Sequence, residues 1–467
     1  LREKKTKMKN LLTALFILFY LSLSAQSLSK EEKAIQQFKK YYNTQQHDSI
    51  YGLFSESFKA KFPPMALEAL VGHVFNLNGK AESYELVKSE NRKYTYLMSC
   101  ERGAFEAMLA IDAKDFVGGF SLTPAQKKTS APSKVFPSNN TGKTTLDKKM
   151  DVDVQKFLNG SECPGLSIAV VNGAATDYYN YGQTQSGVSN LPSENSVYDI
   201  GSITKTFTAS LIVQLFERGK LKLTDSLGIF VAGLPPLIST IKIEQLLNHT
   251  SGLPSMPSPP KEVVPGRDAF EKYGHDNLLD DLRKIQLQSK PGEKFSYSNL
   301  GFATLGLVIE KITGKPFKST LGEFIASARL SSTSVDPAMI NKTNQTQGFA
   351  RGQSVDYILL DAMAPAGILK SSASDMAKYA QLFFHKAGSP IPLVEKITFT
   401  DVNKIHIGLS WLIRDTAEGA VYFHNGGTVG YRSFIGIDPK SGKALIVLSN
   451  SATDVTSLGF SLMKHLY

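Results

Sequence analysis

The spacing of apolar and polar positions changes character several times along the chain. Leu11–Leu23 is an almost continuous apolar run. From Lys30 to about Tyr42, Ala34, Ile35, Phe38, Tyr41 and Tyr42 recur at intervals that bring them to one side of a helix. Two shorter helical stretches are expected near Ser49–Phe58 and Pro64–Phe75. The pattern then turns strand-like: ESYELVKS, KYTYLMSC, AFEAMLAID and FVGGFSL alternate apolar and polar residues between the turn signals NLNGK and ERGA. Helices followed by a sheet predict a small α+β unit over residues 27–122.

The stretch TPAQKKTSAPSKVFPSNNTGKTT is rich in Pro, Ser, Thr and Lys and has no period, so residues 123–145 read as a linker. A helix is expected from about Leu146, followed by an apolar hairpin in PGLSIAVVNGAATDYYNYGQT. Helical segments and loops fill the middle. Near the other end, AVYFHNGGTVGYRSFIGIDPKSGKALIVLSNS reads as strand, Gly-rich turn, strand, DPKSG turn and strand, with a closing helix over Thr456–His465. Residues 146–467 are therefore expected to build one antiparallel sheet from both ends of the segment, with helices inserted between them.

Composition adds a compartment. With 467 residues the chain is too long for one ordinary core, and a 42% hydrophobic content suits a globular protein. The basic head ahead of Leu11, the apolar run and the small residues Ser24 and Ala25 read together as a secretory signal over 1–26, cut near Ala25 or Gln26. The run falls short of the roughly 20 residues that a membrane span needs, which argues against an uncleaved anchor. A secreted or periplasmic location follows, with no stable membrane span after cleavage and with association to the cell envelope left open. The net charge is +10, of which the head carries +4. The remaining cations are dispersed, which does not argue for a nucleic-acid partner. Export permits a bridge between Cys100 and Cys163, and two buried free thiols fit equally well. No thiol or histidine cluster has metal-ligand spacing, and no cofactor is implied.

The first candidate chemistry is Ser202-x-x-Lys205 in YDIGSITKTFTASLIVQLFERGKL. The spacing alone is common here, recurring at Ser27/Lys30, Ser239/Lys242, Ser258/Lys261 and Ser461/Lys464. Only Ser202 follows a glycine at the head of a long apolar helix, where free N–H groups and the helix dipole favour an alkoxide. Lys205, on the same face, lies where desolvation lowers an amine's pKa and makes it a base. An N-cap serine with a solvent-seeking lysine explains the same two residues. In GEKFSYSNLGFATLGLVIEKITG, Tyr297 and Asn299 precede a second apolar helix. A phenol beside an ammonium can act as a partial phenolate and relay a proton, and an amide can orient a substrate carbonyl; a packing tyrosine is the alternative. In FHNGGTVGY, His424 at a strand end leads into Gly426 and Gly427, where a ligand can lie against the backbone and accept the Gly427 N–H. Turn-forming glycines are the alternative there.

In this order the three motifs resemble the serine β-lactamase and penicillin-binding superfamily, in particular the branch of class C enzymes with their esterase and D-amino-acid peptidase relatives. CPGLSIAVV, LLNHTSGLP, PGEKFSYSN, PAGILKSSASDMAKY and HNGGTVGY carry the same resemblance, which spans about Leu146 to Tyr467. It implies an α+β, β-lactamase-like fold: an antiparallel sheet flanked by helices, with a helical insert. The first unit loosely resembles small cone-shaped domains fused to exported hydrolases. By this resemblance Ser202 is the acylated nucleophile, Lys205 its base, and Tyr297 the donor to the leaving group. Asn299 holds the substrate amide, and the N–H groups of Ser202 and Gly427 form the oxyanion hole. His424 stands where many lactamases have a lysine that meets a substrate carboxylate, which shifts weight towards esters or peptides; Arg432 is a candidate substitute charge. The expected function is that of an exported serine hydrolase acting on ester, amide or peptide substrates, β-lactam and peptidoglycan-derived ones included. The alternatives are a covalent penicillin-binding-type receptor with little turnover and a non-catalytic binding scaffold.

Overall fold

The computed structural model describes residues 29–59, 62, 64–101, 103–124, 134–258, 268–350, 352–384, 396–400, 406–416 and 419–467. The expected signal sequence, 1–26, lies outside the described residues. The chain divides into two compact units between Lys128 and Thr129. Among the described residues no helix is long and apolar enough to cross a membrane.

In the first unit Ser29 caps the helix Lys30–Asn43 by accepting the Glu32 N–H at 3.3 Å, and the helix buries Ile35, Phe38 and Tyr42. Short helices His47–Gly52 and Glu56–Lys59 and the longer Pro64–Asn78 follow. Four antiparallel strands complete the unit in sequence order: β1 (Ala81–Glu90), β2 (Lys93–Cys100), β3 (Gly103–Ile111) and β4 (Val117–Pro124). Asn91 and Arg92 join β1 to β2 with φ of 49° and 59°, the two-residue hairpin geometry whose twist suits its strands. Alternate residues of β3 point inward, so Phe105, Ala107, Leu109 and Ile111 are buried with Phe54 and Phe120.

The second unit opens with an extended segment held to its first helix, Thr145–Asn159. Gln155 and Asn159, one turn apart, each pair an amide side chain with backbone, at Phe136 (2.9 and 3.0 Å) and Lys134 (2.9 Å both ways). Residues 134–144, within the stretch expected to be a linker, are thus tied to this unit by side-chain amides, which leave no periodic pattern in the sequence. The strands are β5 (Gly165–Asn172), β6 (Ala175–Gly182), β7 (Val197–Asp199), β8 (Gly348–Ala350), β9 (Gln353–Val355), β10 (Lys370–Ser372), β11 (Phe399–Thr400), β12 (His406–Ile407), β13 (Leu412–Asp415), β14 (Ala420–Gly427), β15 (Arg432–Asp438) and β16 (Lys443–Ser449). Eight of them form one antiparallel sheet in the order β11-β12-β13-β14-β15-β16-β5-β6. The early hairpin closes on the last strand, as the sequence predicts.

Both faces of this sheet are covered. Leu166, Ile168, Val170, Leu445 and Val447 pack under the helices Thr145–Asn159 and Thr456–Met463. Ala169, Val171, Ala444, Ile446 and Leu448 face the inserted helical body. Double-sided burial is why β16 reads as the unbroken run ALIVL rather than as an alternation. Inside that body the helix Thr204–Glu217 is buried on nearly every side, with Phe207 stacked on Tyr379 at 3.9 Å between ring centres. Of the two cysteines, both free, Cys163 is buried and Cys100 partly so; burial pushes their thiols up to about 12 and 11, which makes them poor nucleophiles.

Two glycines let β14 approach the start of that helix. A Cβ on Gly426 would stand 2.0 Å from the Ile200 carbonyl oxygen and 2.4 Å from Ser433 Oγ. Gly201, at φ 49°, would place a Cβ 2.6 Å from the Gly427 nitrogen. Gly426→Ala is therefore expected to cost about 1–3 kcal/mol and lower the melting temperature. Gly322→Ala, in open space inside the helix Phe317–Ser327, is expected to raise stability by about 0.4–1 kcal/mol. Thermal unfolding of the two variants checks the contrast.

Candidate active site

Ser202 sits on a single 3₁₀ turn, Gly201–Ile203, between β7 and the helix Thr204–Glu217. It is not the helix cap: Ile203 occupies that position and no side chain caps the first turn. The Ser202 hydroxyl is left for other partners. Lys205, in the first helical turn, has no solvent exposure and does not reach for water. Its Nζ donates to Ser202 Oγ at 3.2 Å, to Asn299 Oδ1 at 2.7 Å and to the Ala366 carbonyl at 2.7 Å. Three acceptors satisfy the three N–H positions of an ammonium, but none of them carries charge. Burial therefore pushes the Lys205 pKa well below 10.5.

Tyr297 and Asn299 flank Ser298, the cap of the helix Asn299–Thr313, whose Oγ accepts the Gly301 N–H at 2.9 Å. The Tyr297 ring lies under the amine, 5.0 Å from Nζ to its centre, and its hydroxyl is near enough to Ser202 to feel it electrostatically. The phenolate expected from an adjacent ammonium is not favoured, because the amine faces the ring rather than the oxygen. Burial raises the phenol above 10, and the nearby Ser202 hydroxyl opposes this without reversing it. Asn299 holds the amine through Oδ1, and its Nδ2 rests 3.1 Å from Met256 Sδ.

His424 and Gly427 end β14. The imidazole is buried, and the Asn425 carbonyl accepts from its Nδ1–H at 2.6 Å. Desolvation first, and then the nearby Lys205 charge, depress its pKa to about 3. His424 is thus a neutral ring across the physiological range and supplies no cation to a carboxylate. Arg432 lies beside Gly427, but its Nη1 donates to the carbonyls of Thr428 (2.5 Å) and Tyr431 (2.8 Å). Its guanidinium is partly occupied by backbone. A cavity of about 1050 Å³ adjoins the same turn, with Thr346, Tyr357, Ile358, Thr428, Val429 and Tyr431 in its wall.

The structure brings Ser202, Lys205, Tyr297 and Asn299 into direct contact, and it places Gly426 and Gly427 against the backbone that carries Ser202. His424 is close by, its ring centre 6.4 Å from that of Tyr297. One contributor was not singled out from the sequence. His249, within LLNHTSGLP, is buried at φ 60°, 4.4 Å from the Tyr297 ring centre. Its Nδ1 accepts the Ser298 N–H at 3.0 Å, and its carbonyl accepts the Ser296 N–H at 2.8 Å. It braces the Tyr297 loop from both sides. A histidine between Asn and Thr in a turn has no periodic signature, and only a motif read as a whole points to it.

Comparison with known proteins agrees with this geometry. The β-lactamase family profile matches residues 150–459. The chain is 26% identical over 349 residues to Protein flp of Staphylococcus aureus (strain N315), covering 70% of this chain and 66% of that protein, so it spans just under two thirds of that relative's length. It is 27% identical over 239 residues to a β-lactamase of Providencia stuartii, covering 50% of this chain and 59% of the relative. Among solved structures it is similar in fold to the β-lactamase/D-alanine carboxypeptidase of Pseudomonas syringae, with a TM-score of 0.61, 20% identity, and 69% of this chain and all of that one covered. With a family match over most of its length, a fold to suit it and the serine, lysine, tyrosine and asparagine in contact, the chain belongs to the β-lactamase family, on the architecture of a serine hydrolase.

Proposed function

We propose that the protein is an exported serine hydrolase that works through an acyl-enzyme on Ser202. The observation that carries this reading is the fully buried Lys205 with its Nζ 3.2 Å from Ser202 Oγ. A desolvated amine is neutral enough to accept a proton, and in the neutral form its two N–H groups go to Asn299 Oδ1 and the Ala366 carbonyl, which leaves the lone pair for the Ser202 hydroxyl. As Ser202 Oγ forms its bond to the substrate carbonyl carbon, its proton passes to Lys205. The carbonyl electrons move onto oxygen, where the backbone N–H groups of Ser202 and Gly427 receive the charge. When the intermediate collapses, the bond to the leaving group breaks and Tyr297, a neutral phenol beside Lys205 and Ser202, hands a proton on to it. Lys205 returns its proton to Tyr297. Water then attacks the acyl carbon by the reverse relay, which releases the acid and restores the serine.

The neutral His424 favours esters and amides without a carboxylate beside the scissile bond. The secreted or periplasmic location is supported by the basic head and apolar run of residues 1–26.

A fluorophosphonate probe is expected to label the purified chain once, and Ser202→Ala is expected to abolish both labelling and p-nitrophenyl ester hydrolysis. Unchanged labelling in that variant removes Ser202 from its role. Lys205→Met is expected to slow labelling at least tenfold, about 1.4 kcal/mol. The same substitution is expected to stabilise the protein at pH 7. Between its lowered folded pKa and 10.5, the unfolded lysine binds a proton that the folded one releases, so stability rises with pH across that window and neutral pH carries a cost. Removing the amine removes the cost, so the melting temperature is expected to rise while the activity falls.

A further inference from the structure

Asp199 and Lys370 form a buried ion pair that has no part in the acyl-transfer steps above. Asp199 ends β7, three residues before Ser202, and Lys370 begins β10; the two are register partners in that short ladder. Neither side chain has any solvent exposure, and Nζ stands 3.5 Å from Oδ1. Lys370 also donates to the carbonyls of Ile358 and, at 2.7 Å, Ile368. Asp199 Oδ2 accepts the Ile358 N–H at 2.9 Å and the Thr428 hydroxyl at 3.1 Å.

The pair thus reaches three of the backbone segments that set the site. One is the strand leading to Ser202. A second is the segment ending at Ile368, whose Ala366 carbonyl holds Lys205. A third is the turn that begins at Thr428, next to the Gly427 N–H. Taking two ions out of water costs several kcal/mol for each, and apolar replacements of such pairs are often neutral or stabilising. Stability alone does not call for this pair. Its connections instead link the nucleophile turn to the glycine turn at a place where a misplacement of about 1 Å slows catalysis about a hundredfold.

Resting on the acyl-transfer reading, we propose that Asp199 and Lys370 are positioning residues that clamp the Gly427 turn against Ser202, with the Thr428 hydroxyl as the link. Thr428→Val removes that hydroxyl and keeps the shape. Labelling of the full chain by the fluorophosphonate probe is expected to slow about tenfold to a hundredfold, with kcat for p-nitrophenyl ester hydrolysis falling, KM within about twofold and the melting temperature held. Thr428→Ser is expected to restore the rate. The double variant Asp199→Leu/Lys370→Met, which fills the space with apolar groups, is expected to label as slowly as Thr428→Val. If Thr428→Val labels at the wild-type rate, or Thr428→Ser stays as slow as Thr428→Val, the clamp is overturned while the hydrolase reading stands. A wild type that takes no probe overturns the hydrolase reading and the clamp with it.

Discussion

A fully buried amine with no counter-charge against it among the described residues, set one turn beyond a serine hydroxyl, is the constraint on which this site depends. In water Lys205 would keep its proton at neutral pH and be useless as a base. Enclosed among Tyr297, Phe302, Asn299 and the Ala366 carbonyl, its charged form loses hydration that three neutral acceptors replace only in part. The lost hydration falls on stability, and in the proposed mechanism the basicity it creates serves Ser202. The environment acts differently on each neighbour. The same burial that lowers the amine raises the phenol of Tyr297, so the two groups favour their neutral forms over an ammonium–phenolate pair.

The fold supplies that enclosure through a sheet covered on both faces and a helix buried on nearly every side. The nucleophile turn meets β14 through Gly201 and Gly426, where backbone lies against backbone and Ser433 Oγ ties the Ile200 carbonyl at 2.9 Å. His249 fixes the Tyr297 loop from below. The groups of the site therefore come from three separated segments, carrying Ser202 and Lys205, Tyr297 and Asn299, and His424 and Gly427, each anchored by contacts to main chain, which suits the proposed charge movement.

Much of this was legible in the sequence, for identifiable reasons. The strands of the first unit alternate because one sheet face packs on its helices, and the ends of the second unit read as apolar strands because both faces are buried. Ser202, Lys205, Tyr297 and Asn299 stand out in the sequence because residue types suited to acyl transfer gather at the heads of apolar helices. What stayed hidden depends on contacts across the chain. The hold of Gln155 and Asn159 on residues 134–136, the brace at His249 and the Asp199–Lys370 pair each join residues whose local sequence is unremarkable. The position of Ser202, on a 3₁₀ turn before the helix rather than at its cap, and the raised rather than lowered Tyr297 pKa likewise follow only from three-dimensional surroundings.

A neutral His424 supplies no fixed cation at the end of β14, and the nearest one to Gly427 is the Arg432 guanidinium, partly held by backbone. All of this presumes that the amine is depressed as its burial requires. The most direct measurement is a pH titration of the lysine side-chain NMR signals, with the Lys205 resonance assigned by its loss in the methionine variant. The account predicts that this lysine titrates far below its unburied counterparts; a midpoint at or above 10.5 would contradict it.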